Sequence, residues 1–218
     1  MLAVEDGVTA VRLARQALER ALRPHPEGPS SIEESGVPHS LTFEEPRGVF
    51  VTLKRYPSGT LRGCIGYPLP VLPLRAAVGG AAVSAATQDY RFRPVTAQEL
   101  SRITIEVSVL TVPEVVHFST PEEAIRSVKV GRDGLIVEGF GSSGLLLPQV
   151  APEEGWSAKE LLDGTCEKAG LPRDAWRDPR VTVRRFEAQI FHELAPAGEV
   201  VPAGPTEAIA AGRTARRT

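Results

Sequence analysis

The sequence predicts an α+β fold, mostly antiparallel sheet with flanking helices, and three observations predict it. Residues 102–110 alternate, with Ile103, Ile105, Val107 and Val109 on one side and Thr104, Glu106 and Ser108 on the other, the period-two signature of a strand with one core face. Consecutive β-rich runs are separated by short Gly, Pro and Ser breaks, which join neighbouring strands as hairpins. Stretches of helical spacing lie between these runs, and helices mixed with hairpin-linked strands are the α+β pattern. A β-hairpin followed by a helix occurs twice, without a fixed-period repeat.

Taken in order, residues 6–22 place Val8, Val11, Leu18 and Leu22 at helical spacing behind an acidic start. Residues 24–46 carry prolines, Gly28, Gly36 and a Ser-rich middle, so they read as a long surface connection, a kind of loop that often covers something. Residues 48–56 and 60–67 form a hairpin about Pro57-Ser58-Gly59. Residues 74–88, mostly Ala, Val and Gly, suit a helix packed closely on a sheet. Residues 88–94 turn the chain, and Thr96 with Glu99 makes a capping box for a short helical turn. After the 102–110 strand, Thr120, Pro121 and Glu122-Glu123 start a helix running to about Val128. Residues 135–140 and 144–150 read as strands joined by Gly141-Ser142-Ser143, residues 157–169 as a helix stopped by Gly170, and residues 181–194 as one long final strand. The end, from about 202 to 218, is Ala, Gly, Thr and Arg with little to bury, a frayed tail.

Composition narrows the class. At 218 residues and 42% hydrophobic content the chain buries one substantial core or two small ones. A net charge of −2 supplies no basic field for nucleic acid or an anionic membrane. Cys64 and Cys166 form neither a disulfide framework nor a CxxC pattern, and the start carries Glu5 and Asp6 where a signal peptide is basic and then apolar, so a cytoplasmic protein is expected. Absence of Asn, a single Met and an excess of Arg over Lys point to a thermophile, although a GC-rich genome produces the same bias. His25, His39, His117 and His192 stand apart from one another and from both cysteines, so neither metal nor cofactor is expected. Gly139-Phe140-Gly141-Ser142-Ser143-Gly144 matches GxGxxG by letter, but a strand follows it instead of the helix a dinucleotide site requires, so it reads as a hairpin turn.

The run Leu61-Arg62-Gly63-Cys64-Ile65-Gly66 concentrates the chemistry. Its glycines admit backbone or ligand, and Arg62 and Cys64 share a strand parity. A guanidinium beside Cys64 would lower its pKa and make it a nucleophile; the alternative is a buried thiol acting as a small hydrophobe. Arg62 either binds negative charge or pairs with an acid on a neighbouring strand, Glu106 being the obvious one. Glu106, with Ser108 on its face, is a general base, a ligand holder or that partner. Asp89 and Arg91 line a site or form a salt bridge that shapes their loop, and Gln149 points an amide into a cleft or bonds to backbone. Trp156 and Trp176 read as loop anchors and Cys166 as packed core.

These blocks, with Asp89-Tyr90-Arg91-Phe92-Arg93-Pro94, Ile105-Glu106-Val107-Ser108-Val109-Leu110, Gly134-Leu135-Ile136-Val137, Leu146-Leu147-Pro148-Gln149-Val150, Trp156 and Cys166-Glu167-Lys168-Ala169-Gly170, resemble the AMMECR-type family in order along nearly the whole chain. The resemblance implies a single domain over 1–200 with a larger and a smaller subdomain, a tail from 201 to 218, and a molecular activity that is not established. It implies a site of Arg62, Gly63, Cys64, Gly66, Asp89, Arg91, Glu106, Ser108 and Gln149. It also implies a pathway link to Memo-like and radical SAM proteins. Two functions follow: an enzyme acting on a small polar or nucleotide-like substrate, an RNA base included, with Cys64 or Glu106 as the catalytic group, or a non-catalytic adaptor binding a small-molecule, nucleotide or protein partner in the same cleft.

Overall fold

A computed structural model describes residues 2–23 and 41–203. In chain order the elements are α1 (Val4–Ala21), β1 (Val49–Arg55), β2 (Leu61–Tyr67), α2 (Leu74–Thr87), β3 (Ile103–Leu110), β4 (Glu114–Val115), α3 (Pro121–Ser127), β5 (Gly134–Gly139), β6 (Ser142–Leu146), α4 (Val150–Glu154), α5 (Ala158–Lys168), β7 (Thr182–Phe186), β8 (Ala188–Glu193) and β9 (Val200–Pro202). Short 3-10 helices lie at Leu41–Phe43, Ala97–Arg102 and Ala175–Arg177. The fold is α+β, with antiparallel sheet and flanking helices. The described residues form two compact units, one of residues 2–23, 41–109 and 189–203 and one of residues 110–188.

The first unit holds a five-stranded sheet in the order β2-β1-β3-β8-β9. Alternation in β1 buries Val49, Val51 and Leu53, and alternation in β3 buries Ile103, Ile105, Val107 and Val109, so one sheet face is apolar. α1 contributes the stripe Ala10, Val11, Ala14 and Leu18 to the same core, and α2 contributes Leu74, Val78 and five alanines. Small side chains let α2 approach closely: a Cβ on Gly63 would stand 2.1 Å from the Ala85 carbonyl oxygen. Within the core lies a charged pair, Arg15 on α1 and Glu193 on β8, at 2.5 Å. Arg15 also donates to the Ile103 carbonyl at 2.7 Å, and Glu193 accepts from the Ile105 N–H at 3.0 Å, so helix α1 and strands β3 and β8 are joined by one network.

The second unit holds a four-stranded sheet in the order β4-β7-β5-β6. Leu135, Val137 and Val183 pack with Leu161, Leu162 and Cys166 of α5 and with Trp176. Trp176 is indeed an anchor, fully buried with its indole N–H donating to Asp163 at 2.8 Å. Burial would raise the Asp163 carboxyl, but the Lys159 and Trp176 hydrogen bonds hold it below its ordinary value. Burial pushes the Cys166 thiol from 9.0 to about 11. A thiol raised in the folded state favours folding below its unfolded pKa, and that contribution is lost as pH rises through about 9 to about 11. Urea midpoints measured across this window are expected to fall more steeply in the wild type than in Cys166→Ala; parallel curves would contradict this.

Several elements depart from the sequence reading. The predicted strand 181–194 is two strands in two sheets. It breaks at Glu187, whose N–H donates to the Thr111 hydroxyl and whose carbonyl accepts from the Thr111 N–H, both at 2.9 Å, so the ladder ends there. The turn between β5 and β6 is Phe140-Gly141, with φ of 53° and 77°, a pair that matches hairpin twist; Ser142 and Ser143 therefore belong to the strand. The GxGxxG letters are that hairpin, as expected. Pro148 ends the preceding strand, and Val150 opens α4 instead of closing it. Val200–Pro202 pairs with β8 where a tail was expected to start. The proposed covering loop lies, except for its last residues, outside the described residues, as do residues 204–218.

Candidate functional site

Strands β1 and β3 of the first unit carry Thr52, Lys54, Glu106 and Ser108 on the face opposite the one that holds Val51, Leu53, Ile105 and Val107 against the helices. Registry builds the centre: Cys64 on β2 pairs with Thr52 on β1, and Thr52 pairs with Glu106 on β3. Thr52 Oγ1 donates to Cys64 Sγ at 3.3 Å, and Lys54 Nζ lies 2.6 Å from Glu106 Oε2. Both members of that ion pair are largely buried, their side chains 19% and 13% exposed. Ser108 is buried one pair along, opposite Phe50.

Because β2 is the sheet edge, its outward backbone groups need partners. Asp89, just past α2, accepts from the Cys64 N–H at 2.9 Å, and Arg91 donates to the Cys64 carbonyl at 3.4 Å. Arg91 binds Asp89 through Nε and Nη2 at 2.9 and 2.7 Å, so the salt bridge that shapes this loop also closes the edge beside Cys64. The Arg91 guanidinium draws the Asp89 carboxyl below its ordinary value against the opposing effect of burial, and Asp89 raises Arg91 in turn.

Arg62 does not join Cys64 or Glu106. Register shifts between Leu53 and Lys54, which oppose Gly63 and Leu61, and Arg62 is the extra residue of the irregularity. Its guanidinium grips Glu99 at 2.9 and 3.2 Å and the Pro94 carbonyl at 3.4 Å. The same Glu99 closes the capping box with Thr96, and Arg62 holds its carboxyl below the ordinary range. The expected Arg62–Glu106 pair is thus replaced by Arg62–Glu99 and Lys54–Glu106. Arg62 is therefore not the cation beside Cys64, whose thiol is raised above its ordinary value by burial, opposed by the Thr52 hydrogen bond and Arg91 and reinforced by Glu106 and Asp89.

The glycines serve the protein's own packing. Gly63 faces α2, and a Cβ on Gly66 would lie 2.3 Å from the Val49 carbonyl oxygen and 2.4 Å from the Phe50 ring. Gln149 stands in the second unit as the N-cap of α4, its carbonyl accepting from Glu153 N–H at 3.2 Å. Sequence reasoning missed Thr52 and Lys54, and it read Glu99 only as a cap and not as the partner of Arg62. Alternation within Val49–Arg55 was the signal for the first two, since Val51 and Leu53 in the core put Thr52 and Lys54 on the other face.

Chemically, the cluster offers a thiol whose pKa is raised by burial, a hydroxyl and a carboxylate–ammonium pair, groups able to exchange hydrogen bonds and protons. Iodoacetamide is expected to modify Cys64 more slowly at pH 7 than an unfolded cysteine, and Thr52→Val to slow it further by removing the hydrogen bond that favours thiolate. A wild-type rate equal to that of the denatured chain would contradict the assignment. Among the described residues no group of three or more His, Cys, Asp and Glu side chains is placed to hold a metal ion, and no helix is long and apolar enough to cross a membrane.

Comparison with known proteins gives a consistent result. The AMMECR1 family model matches residues 11–191. Protein MJ0810 of Methanocaldococcus jannaschii is 48% identical over 201 residues, covering 92% of this chain and 96% of the relative. A protein of Thermococcus gammatolerans is 52% identical over 199 residues, covering 90% of this chain and 94% of its own length. The crystal structure of the uncharacterized protein PH0010 from Pyrococcus horikoshii superposes with a TM-score of 0.78 at 46% identity, covering 93% of this chain and 98% of that one. With a matching family model over most of its length and relatives this similar, the chain belongs to the AMMECR1 family.

Proposed function

We propose that the polar face of the five-stranded sheet around Cys64 binds a small polar or nucleotide-like molecule and that Glu106, held by Lys54, exchanges a proton with it. One observation carries this reading: a largely buried ion pair stands on a sheet face beside a hydroxyl-bonded thiol. Desolvating two charges there costs several kcal/mol, on the order of what their attraction returns, so stability alone gives little reason for the pair. Beside the pair stands Cys64, whose thiol burial raises, and perturbed ionisable groups concentrate at functional sites. In this reading Cys64 is a neutral hydrogen-bonding group. Two free cysteines fit a reducing compartment, and we place the protein in the cytoplasm.

A second reading has its own support. Lys54–Glu106, Arg62–Glu99 and Arg91–Asp89 pair internally, so these six charges already have partners, as in a non-catalytic binding module. A thermal-shift screen of nucleosides, nucleotides and other small polar compounds separates the two. The enzyme reading expects a compound that stabilises the wild type and is converted by it, with conversion lost in Glu106→Gln. Stabilisation that persists in both Glu106→Gln and Cys64→Ser, with no conversion by the wild type, would support the binding module.

A further inference from the structure

The second unit contains a cavity of about 400 Å³ to which none of the Cys64 cluster contributes. It lies between the stretch that leaves β4, residues 116–121, and the stretch that enters β7, residues 177–183. Its volume is within the range of small-molecule sites, roughly 300–1,000 Å³. The walls combine apolar surface from Phe118, Pro179 and Val181 with the polar side chains of His117, Ser119 and Arg177.

Arg177 sets the chemistry. Its guanidinium carbon lies over the Trp176 ring, 4.9 Å from the centroid. Trp176 is fully buried, fixed by its hydrogen bond to Asp163, and met edge-on by Phe118 at 6.4 Å between centroids. A guanidinium stacked on a fixed indole is oriented before any ligand arrives, and its N–H groups match carboxylate and phosphate oxygens. The neighbouring carboxylate does not cancel it. Asp178 also borders the cavity but is occupied by Arg180, through Nε at 3.0 Å, Nη2 at 2.7 Å and the backbone N–H at 2.9 Å. Those bonds hold Asp178 as a carboxylate down to about pH 2, so its charge is matched by Arg180 and the Arg177 charge is left in excess.

We propose that this cavity binds a small organic anion, a carboxylate or phosphate monoester on a flat apolar body, with Arg177 on the anionic group, His117 and Ser119 completing its hydrogen bonds, and Phe118, Pro179 and Val181 against the body. The test is titration of the ¹⁵N-labelled full chain with benzoate, phenyl phosphate and, as the neutral control, benzyl alcohol. Saturable shifts at His117, Ser119, Arg177 and Val181 are expected with one or both anions and not with the alcohol; the stronger of the two identifies the anionic group. Arg177→Gln is expected to weaken binding about tenfold or more, the scale of a charge-assisted hydrogen-bond pair, and Arg177→Lys by less. An unchanged fingerprint elsewhere in the spectrum keeps misfolding apart from loss of binding. Absence of saturation at concentrations on the order of 10 mM, a fit no better than millimolar for anion and alcohol alike, or undiminished affinity in Arg177→Gln would overturn the proposal. Glu106 does not line this cavity, so Glu106→Gln is expected to leave these titrations unchanged, which keeps their outcome apart from that of the Cys64 cluster.

Discussion

Glu193→Ala is expected to destabilise the protein by about 3–5 kcal/mol, the usual consequence of removing one partner from a buried ion pair. The substitution strands the Arg15 guanidinium in the core and leaves the buried Ile105 N–H without its acceptor. For a chain of this size that corresponds to a fall of roughly 10 °C in the melting temperature. Thermal unfolding followed by circular dichroism measures it. The double replacement Arg15→Met with Glu193→Leu is expected to recover most of the loss, because an apolar pair of similar volume avoids both desolvation and the orphaned charge. If the double variant is as unstable as the single one, the network itself, and not the unpaired charge, holds α1 to the sheet.

Gly63→Ala is expected to cost about 3 kcal/mol or more, at the upper end of overpacking effects. The new Cβ would meet the Ala85 carbonyl oxygen at 2.1 Å, and neither partner is a side chain that can swing away. Relief requires α2 to shift, and α2 leads directly into Asp89, whose carboxylate holds the Cys64 N–H. Iodoacetamide modification of Cys64 should therefore accelerate along with the loss of stability. Gly79→Ala in the same helix is the control. Its Cβ would meet Ala17 and Leu13 at 3.8 and 3.9 Å, ordinary contact, and Ala in place of a helical Gly is worth about 0.5–1 kcal/mol in the stabilising direction. Similar melting temperatures for the two variants would show that the close approach at Gly63 is tolerated.

Local rules explain what was legible. Thr120 accepting from Glu123 N–H, the Thr96–Glu99 and Ser157–Glu160 capping boxes, and the positive φ of Gly170 fix element ends within a few residues of sequence, so those boundaries were readable. Alternation in residues 103–109 likewise fixed which face of β3 is core. Non-local pairing was not readable in this way. The division of residues 182–193 between two sheets depends on Thr111 capturing Glu187, a partner 76 positions away.

The candidate site divides along the same line. Period two and the residue types alone determined that Glu106 and Ser108 share a polar strand face and that a thiol and two glycines lie on the second strand of the preceding hairpin. Only the tertiary structure decided the partners: a one-residue irregularity in β2 turned Arg62 to Glu99 and left Glu106 to Lys54, while burial raised the Cys64 thiol. The reason is physical. Side-chain parity is set within a strand by backbone geometry, whereas the sign and distance of the charges around a buried group are set by register and by elements remote in the chain, and those charges decide its chemistry.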